Sequence, residues 1–312
     1  MFNKIALLAL VVALAAGPLY LSPYYVAVLI VFFINCILAQ SYRQLAMTGD
    51  WSLGHVVLMG CGAYGAGMLG KLLGLPFWLM IPVGGLIGAL VGAAMVYTLI
   101  GTRGFGFFIG SFALGEFIRL VWIKFDDPFG GARGIINIPA GEIFGVQLWE
   151  QTPFYLLAFV VMLICLWIMF RLDKSRYGRV FEAVYADDGL AESVGISVAR
   201  YRTRAFVVGA FFAGVAGALE AQYNGAIDPK LFGVLNMVYL IIWVVVGGTR
   251  TFWGPLIGVA VMTVVFEATR PLEELRPALA GGILVLVLVL LPGGLESIAS
   301  KIRNWRRPSN GG

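Results

Sequence analysis

The chain has 312 residues, of which 60% are hydrophobic and only 12% charged, against ~45–50% and ~25% in soluble globular domains. So few charges cannot cover the water-facing surface of a protein this size, whereas lipid can cover the rest. This excludes a soluble protein and reads as an all-α polytopic membrane protein. A net charge of +5 would suit nucleic acid, but basic residues of membrane proteins gather in cytoplasmic loops, so no nucleic-acid partner is inferred. Cys36, Cys61 and Cys165 lie far apart in apolar runs and His55 is the single histidine. Neither a disulfide framework nor a metal site is expected.

Apolar runs of spanning length, about 17–25 residues, fall at 5–21, 24–47, 52–73, 77–100, 104–123, 153–170 and 205–223. Shorter runs follow at 234–247, 255–268 and 278–291. The eighth is too short to cross upright. After it, Gly247, Gly248, Gly254 and Pro255 break the backbone, and half-helices of this kind persist in a membrane only when packed inside protein or lining a wet cavity. About 8–10 transmembrane or re-entrant helices are expected, in a single transmembrane domain over 1–312. Lys4, the run from Ile5 and Ala13-Leu14-Ala15 also read as a signal peptide. A retained helix is favoured, because Gly17-Pro18-Leu19-Tyr20-Leu21 continues the apolar run past the candidate cleavage site.

Charge sets the orientation. Arg171, Lys174, Arg176, Arg179, Arg200, Arg202 and Arg204 cluster in a loop at about 172–203, and Lys301, Arg303, Arg306 and Arg307 in a tail at 296–312. Both should face the cytoplasm, with residues 124–152 outside and both termini inside. That parity requires the 247–255 break to turn the chain on the cytoplasmic side, although a re-entrant hairpin satisfies it as well.

Several motifs look chemical. Gly65-Ala66-Gly67-Met68-Leu69-Gly70-Lys71 has phosphate-loop spacing, but Leu72 stands where Ser or Thr is needed, and Gly60 to Gly65 matches a dinucleotide fingerprint with no strand before it. The better reading is close helix packing through small residues: Gly54, Gly62, Gly65, Ala66 and Gly70; Gly84, Gly88 and Gly92; Ala210, Gly214 and Gly217. No nucleophile–base pair stands out, so no enzyme activity and no cofactor on this chain are expected.

Polar groups inside apolar runs are candidate pathway residues. Glu116 and Arg119, three apart, read as a neutralising pair or as pathway groups, the pair being favoured because an unpaired charge in lipid is costly. Glu220, Gln222 and Glu267 lie near outer helix ends. In Asp50-Trp51-Ser52-Leu53-Gly54-His55, Asp50 or Ser52 is placed to cap the third helix, and its N-terminus would suit an anionic group. His55 reads equally as a pathway residue or as a packing histidine bonded to a carbonyl.

The 172–203 loop differs from the rest. Val180, Ala183, Val184, Ala191 and Val194 follow helical spacing, with Gly189 marking a bend and Gly195 a stop. Two short amphipathic helices are expected, with enough acids among the bases to suit a docking surface rather than a headgroup-bound helix.

Gly178-Arg179 with Glu182-Ala183, and the closing Ala191-Glu192-Ser193-Val194-Gly195-Ile196, resemble the coupling loop of the branched-chain amino acid ABC transporter permeases of the LivM type. So do Ser52-Leu53-Gly54-His55, Ala213-Gly214-Val215-Ala216-Gly217-Ala218-Leu219, and Gly247-Gly248 with Trp253-Gly254-Pro255. The resemblance spans roughly 48–258 and implies a type II ABC importer permease. It further implies a sister permease subunit completing the pore, two cytoplasmic ATPases carrying ATP and Mg, and a periplasmic solute-binding protein, all at a bacterial inner membrane. Gly178, Arg179, Glu182, Ala183, Gly189, Glu192 and Gly195 are the coupling positions it marks. Ser52, Gly54, His55, Glu116, Arg119, Gly247, Gly248, Gly254 and Pro255 are carried as pathway or helix-break candidates. Tyr185, Asp187-Asp188-Gly189 and Asp50-Trp51 depart from the family's usual residues, which bears on ATPase fit and solute. The implied cargo is a branched-chain amino acid, an amide such as urea, or a small aromatic or organic acid. The rival readings are a gradient-driven secondary transporter, suggested by the intramembrane charges, and a non-transporting assembly subunit.

Overall fold

The computed structural model describes residue 9 and residues 11–297, apart from 75, 100, 139–140, 144–145, 148–149 and 292. Most of the first apolar run before Val11, and the basic tail beyond Ser297, lie outside the described residues. The helices are α1 Pro23–Ala46, α2 His55–Leu73, α3 Phe77–Thr98, α4 Phe105–Lys124 and α5 Gln151–Asp173. They continue with α6 Arg176–Ala186, α7 Asp188–Ser193, α8 Val198–Asn224, α9 Val234–Gly247, α10 Gly254–Ala268 and α11 Arg276–Leu290. Among the described residues, α1 to α5 and α8 are long and apolar enough to cross a membrane, and α9 to α11 are shorter apolar helices. At 1.5 Å per residue, α9 reaches only ~21 Å, short of a ~30 Å hydrocarbon core.

Helix ends follow local chemistry. Proline opens α1, where an N–H has no intrahelical partner anyway. Gly74, in the left-handed region at φ 59°, closes α2 by donating its N–H to Gly70 O.

The centre is a close three-helix contact of α2, α3 and α8, and glycine makes it. A Cβ at Gly214 would overlap the Gly84 carbonyl, and one at Gly62 would overlap the Gly214 backbone. The glycine rows read from the sequence thus face one another, as expected where lipid offers little hydrophobic drive and close van der Waals approach must substitute. Gly65 and Gly70 also pack on α3, against the Ile87 and Met80 side chains, whereas Gly54 meets Ser111 of α4. Helix α5 packs on α1 through Phe33, whose ring lies 5.1 Å from Tyr155 and 5.3 Å from Phe159.

Two boundaries differ from the apolar runs. Helix α8 begins at Val198 rather than near 205, so Arg200, Arg202 and Arg204 extend it instead of belonging to a loop. Their charge is tolerated because Arg200 is exposed, Arg202 pairs with Asp50 and Asp188, and Arg204 lies over the Tyr177 and Tyr201 rings. Helix α2 begins at His55, with Gly54 as its N-cap and no side-chain cap, so neither Asp50 nor Ser52 caps it.

The two ends of the bundle are distinct. At one, Ile135–Ile136 pairs antiparallel with Ala226–Ile227, and Lys71 Nζ donates to Ile136 O. At the other lie α6, α7, the 47–54 connection, residues 101–104, and the turn joining α9 to α10. That turn reverses the chain, with Gly258 against the Trp243 carbonyl.

Candidate functional site

The end carrying α6 and α7 gathers most of the marked residues. Ser175 starts α6 by accepting from Tyr177 N at 3.1 Å, and Asp187 starts α7 by accepting from Leu190 N at 2.9 Å. The bend therefore falls at Asp187 and not at Gly189, which is inside α7, because a carboxylate that caps a helix defines its start. Gly195, at φ 84°, does end the second helix segment.

Helix α6 buries Gly178, Phe181 and Val184 and exposes Arg179, Glu182, Ala183 and Tyr185. Gly178 is required by contact: a Cβ there would collide with the Asp173 carbonyl, so only glycine lets α6 fold back on the end of α5. In α7, Ala191 is buried, while Leu190 is 65% and Val194 71% exposed. Ala183 and Val194 thus face outward, against the periodicity reading. The sequence spacing omitted Phe181, whose ring packs on Tyr201 and takes the inward position.

These helices are anchored by charge. Arg103 lies 3.3 Å from Glu192 and 3.7 Å from Asp188. Arg202 lies 3.4 Å from Asp188 and 3.1 Å from Asp50, the latter an ion contact not aligned as a hydrogen bond. Burial pushes the Asp50 carboxyl above the usual carboxylate range, against the opposing pull of Arg202. The Arg103 pairs are exposed and contribute little to stability.

Beneath this surface is Arg43, 1% exposed. Its Nε donates to Thr249 O at 2.9 Å and its Nη1 to Asp173 Oδ1 at 3.0 Å. One guanidinium therefore joins α1, the last residue of α5 and the α9–α10 turn. The turn is held from its other side by Glu296, which accepts from the backbone N–H of Arg250 and of Thr251, both at 2.8 Å, and from the Thr251 hydroxyl. Gly248, at φ 101°, leaves space for that carboxylate; a Cβ would strike it. A cavity of about 390 Å³ opens between Arg43, Trp51, Glu182, Tyr185, Arg250 and Glu296.

The remaining candidates are structural in their surroundings. The Ser52 hydroxyl accepts from Gly54 N at 3.1 Å, and Ser52 N donates to Tyr42 Oη at 3.2 Å. His55 is buried, with Nε2 2.9 Å from Ser41 Oγ. The Ser41 hydroxyl also reaches Leu38 O, and a hydroxyl thus replaces the carbonyl expected as the His55 partner. Glu116 and Arg119 pair with each other, Arg119 Nε donating to Glu116 Oε2 at 2.9 Å. Gly247, Gly248, Gly254 and Pro255 form the α9–α10 turn and the start of α10. Gln40 and Gln44 bury side-chain amides with no partner among the described residues. Sequence reasoning missed Arg43, Asp173 and Glu296. A lone cation in an apolar run was a signal for Arg43; for Asp173 and Glu296 there was none.

Residues 24–291 match the family model for the permease component of branched-chain amino acid transport systems. The chain is 27% identical to the LivM permease of high-affinity branched-chain amino acid transport from Salmonella typhimurium, over 94% of this chain and 75% of that protein. It is 31% identical to the LivH permease of the same organism over 46% of each chain. It is also 27% identical to the D-allose permease AlsC of Escherichia coli over 64% of this chain and 55% of that protein. No solved structure matches.

Proposed function

The chain belongs to the family of permease components of branched-chain amino acid transport systems, and from that premise we propose that it is one half of the membrane pore of an ATP-driven importer. A sister permease of the LivH kind completes the pore, two cytoplasmic ATPases carry ATP and Mg, and a periplasmic binding protein delivers solute. The complex lies in a bacterial inner membrane with α6 and α7 on the cytoplasmic side, along with both termini. The cargo is a branched-chain amino acid or a similar small polar solute.

The observation that carries this reading is the outer face of α6 and α7. Tyr185, Leu190 and Val194 are each more than 60% exposed at a loop end, beside Arg179, Glu182 and Ala183. Large apolar side chains beyond the membrane, rimmed by charge, suit a protein partner. Motion of a docked ATPase would pass from α6 to Asp173, then through Arg43 to the α9–α10 turn. The bundle would thereby alternate its access. Glu182 and Ala183 are contact positions in this scheme. Gly178, Gly189 and Gly195 shape the two helices, and Glu192 faces Arg103 at their edge.

Affinity-tagged chain should co-purify with a sister permease and ATPases, and the reconstituted complex should take up leucine only with ATP. Purification as a lone protein that transports without ATP would overturn the proposal. Of the charges behind the secondary-transporter alternative, Glu116 and Arg119 neutralise each other, which leaves Glu267. Loss of uptake on adding a proton uncoupler, with ATP held constant, would favour that alternative.

A further inference from the structure

Several hydroxyls in the spans and at their ends satisfy themselves, whereas the buried Gln40 and Gln44 amides have no partner among the described residues. The Thr98, Thr203 and Thr269 hydroxyls donate to carbonyls of their own helices, as do those of Ser41 and Ser111. A groove of about 300 Å³ between α1, α9 and α10 is different. Asn35, Trp243 and Thr263 line it, each half-buried, and their polar side-chain atoms have no hydrogen-bond partner among the described residues. Asn35 lies ~18 Å along α1 from Pro23, past the midpoint of a ~30 Å hydrocarbon core.

The mouth of the groove is charged. Glu267 and Arg270 have the same three-residue spacing as Glu116 and Arg119, yet their nearest atoms are 4.0 Å apart. Helix α10 ends at Ala268, before Arg270, whose guanidinium lies over the Tyr24 ring instead, 4.8 Å from the centroid. Both charges are thus left short of a hydrogen bond to each other.

A carboxamide, a hydroxyl and an indole N–H left unpaired in hydrocarbon would each cost several kcal/mol, on the order of the amide transfer penalty. Three unpaired polar groups thus converge on one otherwise apolar groove, below two separated opposite charges. We propose that this groove is the solute-binding stretch of the pathway on this subunit, taking a small zwitterion with an apolar body. Glu267 meets its ammonium group and Arg270 its carboxylate. Trp243 and Phe266 flank the apolar part, and Asn35 and Thr263 receive polar groups at depth. This rests on the permease reading above.

The test uses single cysteines in the complete complex in membranes, probed from outside with a charged, membrane-impermeant methanethiosulfonate. The native Cys36, Cys61 and Cys165 are buried and give little background. Thr263→Cys and Asn35→Cys should react, leucine should slow the reaction, and modification should stop leucine uptake. Val264→Cys, next in sequence but 69% exposed on the apolar outer face, should stay unreactive. Glu267→Gln should lower leucine uptake about tenfold, the loss expected for one hydrogen bond to a charged group. Thr263→Cys no more reactive than Val264→Cys, or modified with uptake unchanged, would overturn the proposal. If the wild-type complex shows no ATP-dependent uptake, the permease reading fails by itself, and labelling still reports whether the groove is wet.

Discussion

Arg43 shows how much one side chain can join when water is absent. In the exposed Arg103 pairs, solvent competes for every donor and the net contribution is small. Arg43 and Asp173 are 1% and 6% exposed, and removing one partner leaves the other buried and uncompensated, at a cost of about 3–5 kcal/mol. Arg43→Met should therefore lower the thermal stability of the purified complex sharply. Arg43→Lys should rescue it only in part, because an ammonium cannot reproduce the fork that reaches Thr249 O and Asp173 Oδ1 together. In membranes, where the complex survives, Arg43→Lys should raise the ATP hydrolysed per solute imported. An unchanged ratio with full stability would show that the three elements move independently of this contact.

At the scale of elements, packing depends on where glycine is absent from solvent rather than on how many glycines there are. Gly214→Leu should abolish assembly, since even a Cβ overlaps the Gly84 backbone, whereas Gly282→Ala, with nothing within 4 Å, should be neutral in yield and melting temperature. The turn between α9 and α10 is equally specific. Glu296→Ala removes the acceptor of two part-buried backbone N–H groups at Arg250 and Thr251, a loss of about 0.5–1.5 kcal/mol for each bond, and should appear as faster proteolysis within 248–253. The glycine rows and the spans were legible in the sequence because periodicity and hydropathy are local signals. Arg43–Asp173 was not, being a contact between residues 130 apart in sequence. The early start of α8 was hidden for a related reason: Arg202 and Arg204 read as loop charge until Asp50, Asp188 and two tyrosine rings are brought to them. Glu296 belonged to a segment read only as basic tail, and the 390 Å³ cavity exists only once that segment meets α6.

The whole molecule has a polarity that charge alone implied and packing makes concrete. The end with α6 and α7 carries Arg103, Arg171, Lys174, Arg176, Arg179, Arg200, Arg202, Arg204 and Arg250. Among the described residues the opposite end carries Lys71, Lys124, Arg133, Lys230 and Arg270. Basic residues in short loops resist translocation, so the first end should face the cytoplasm. The α9–α10 turn lies at that same end, as shown by the Arg43 bond to Thr249 O. A topology in which this hairpin crossed in the opposite sense is thereby excluded by contact. Ser193, exposed on α7, and Asn224, exposed at the far end of α8, therefore report on opposite compartments. In intact cells an impermeant thiol reagent should label Asn224→Cys and leave Ser193→Cys untouched until the membrane is permeabilised. The reverse pattern would place the α6–α7 face outside, beyond the reach of any ATPase, and would make the groove at Glu267 an exit instead of an entrance.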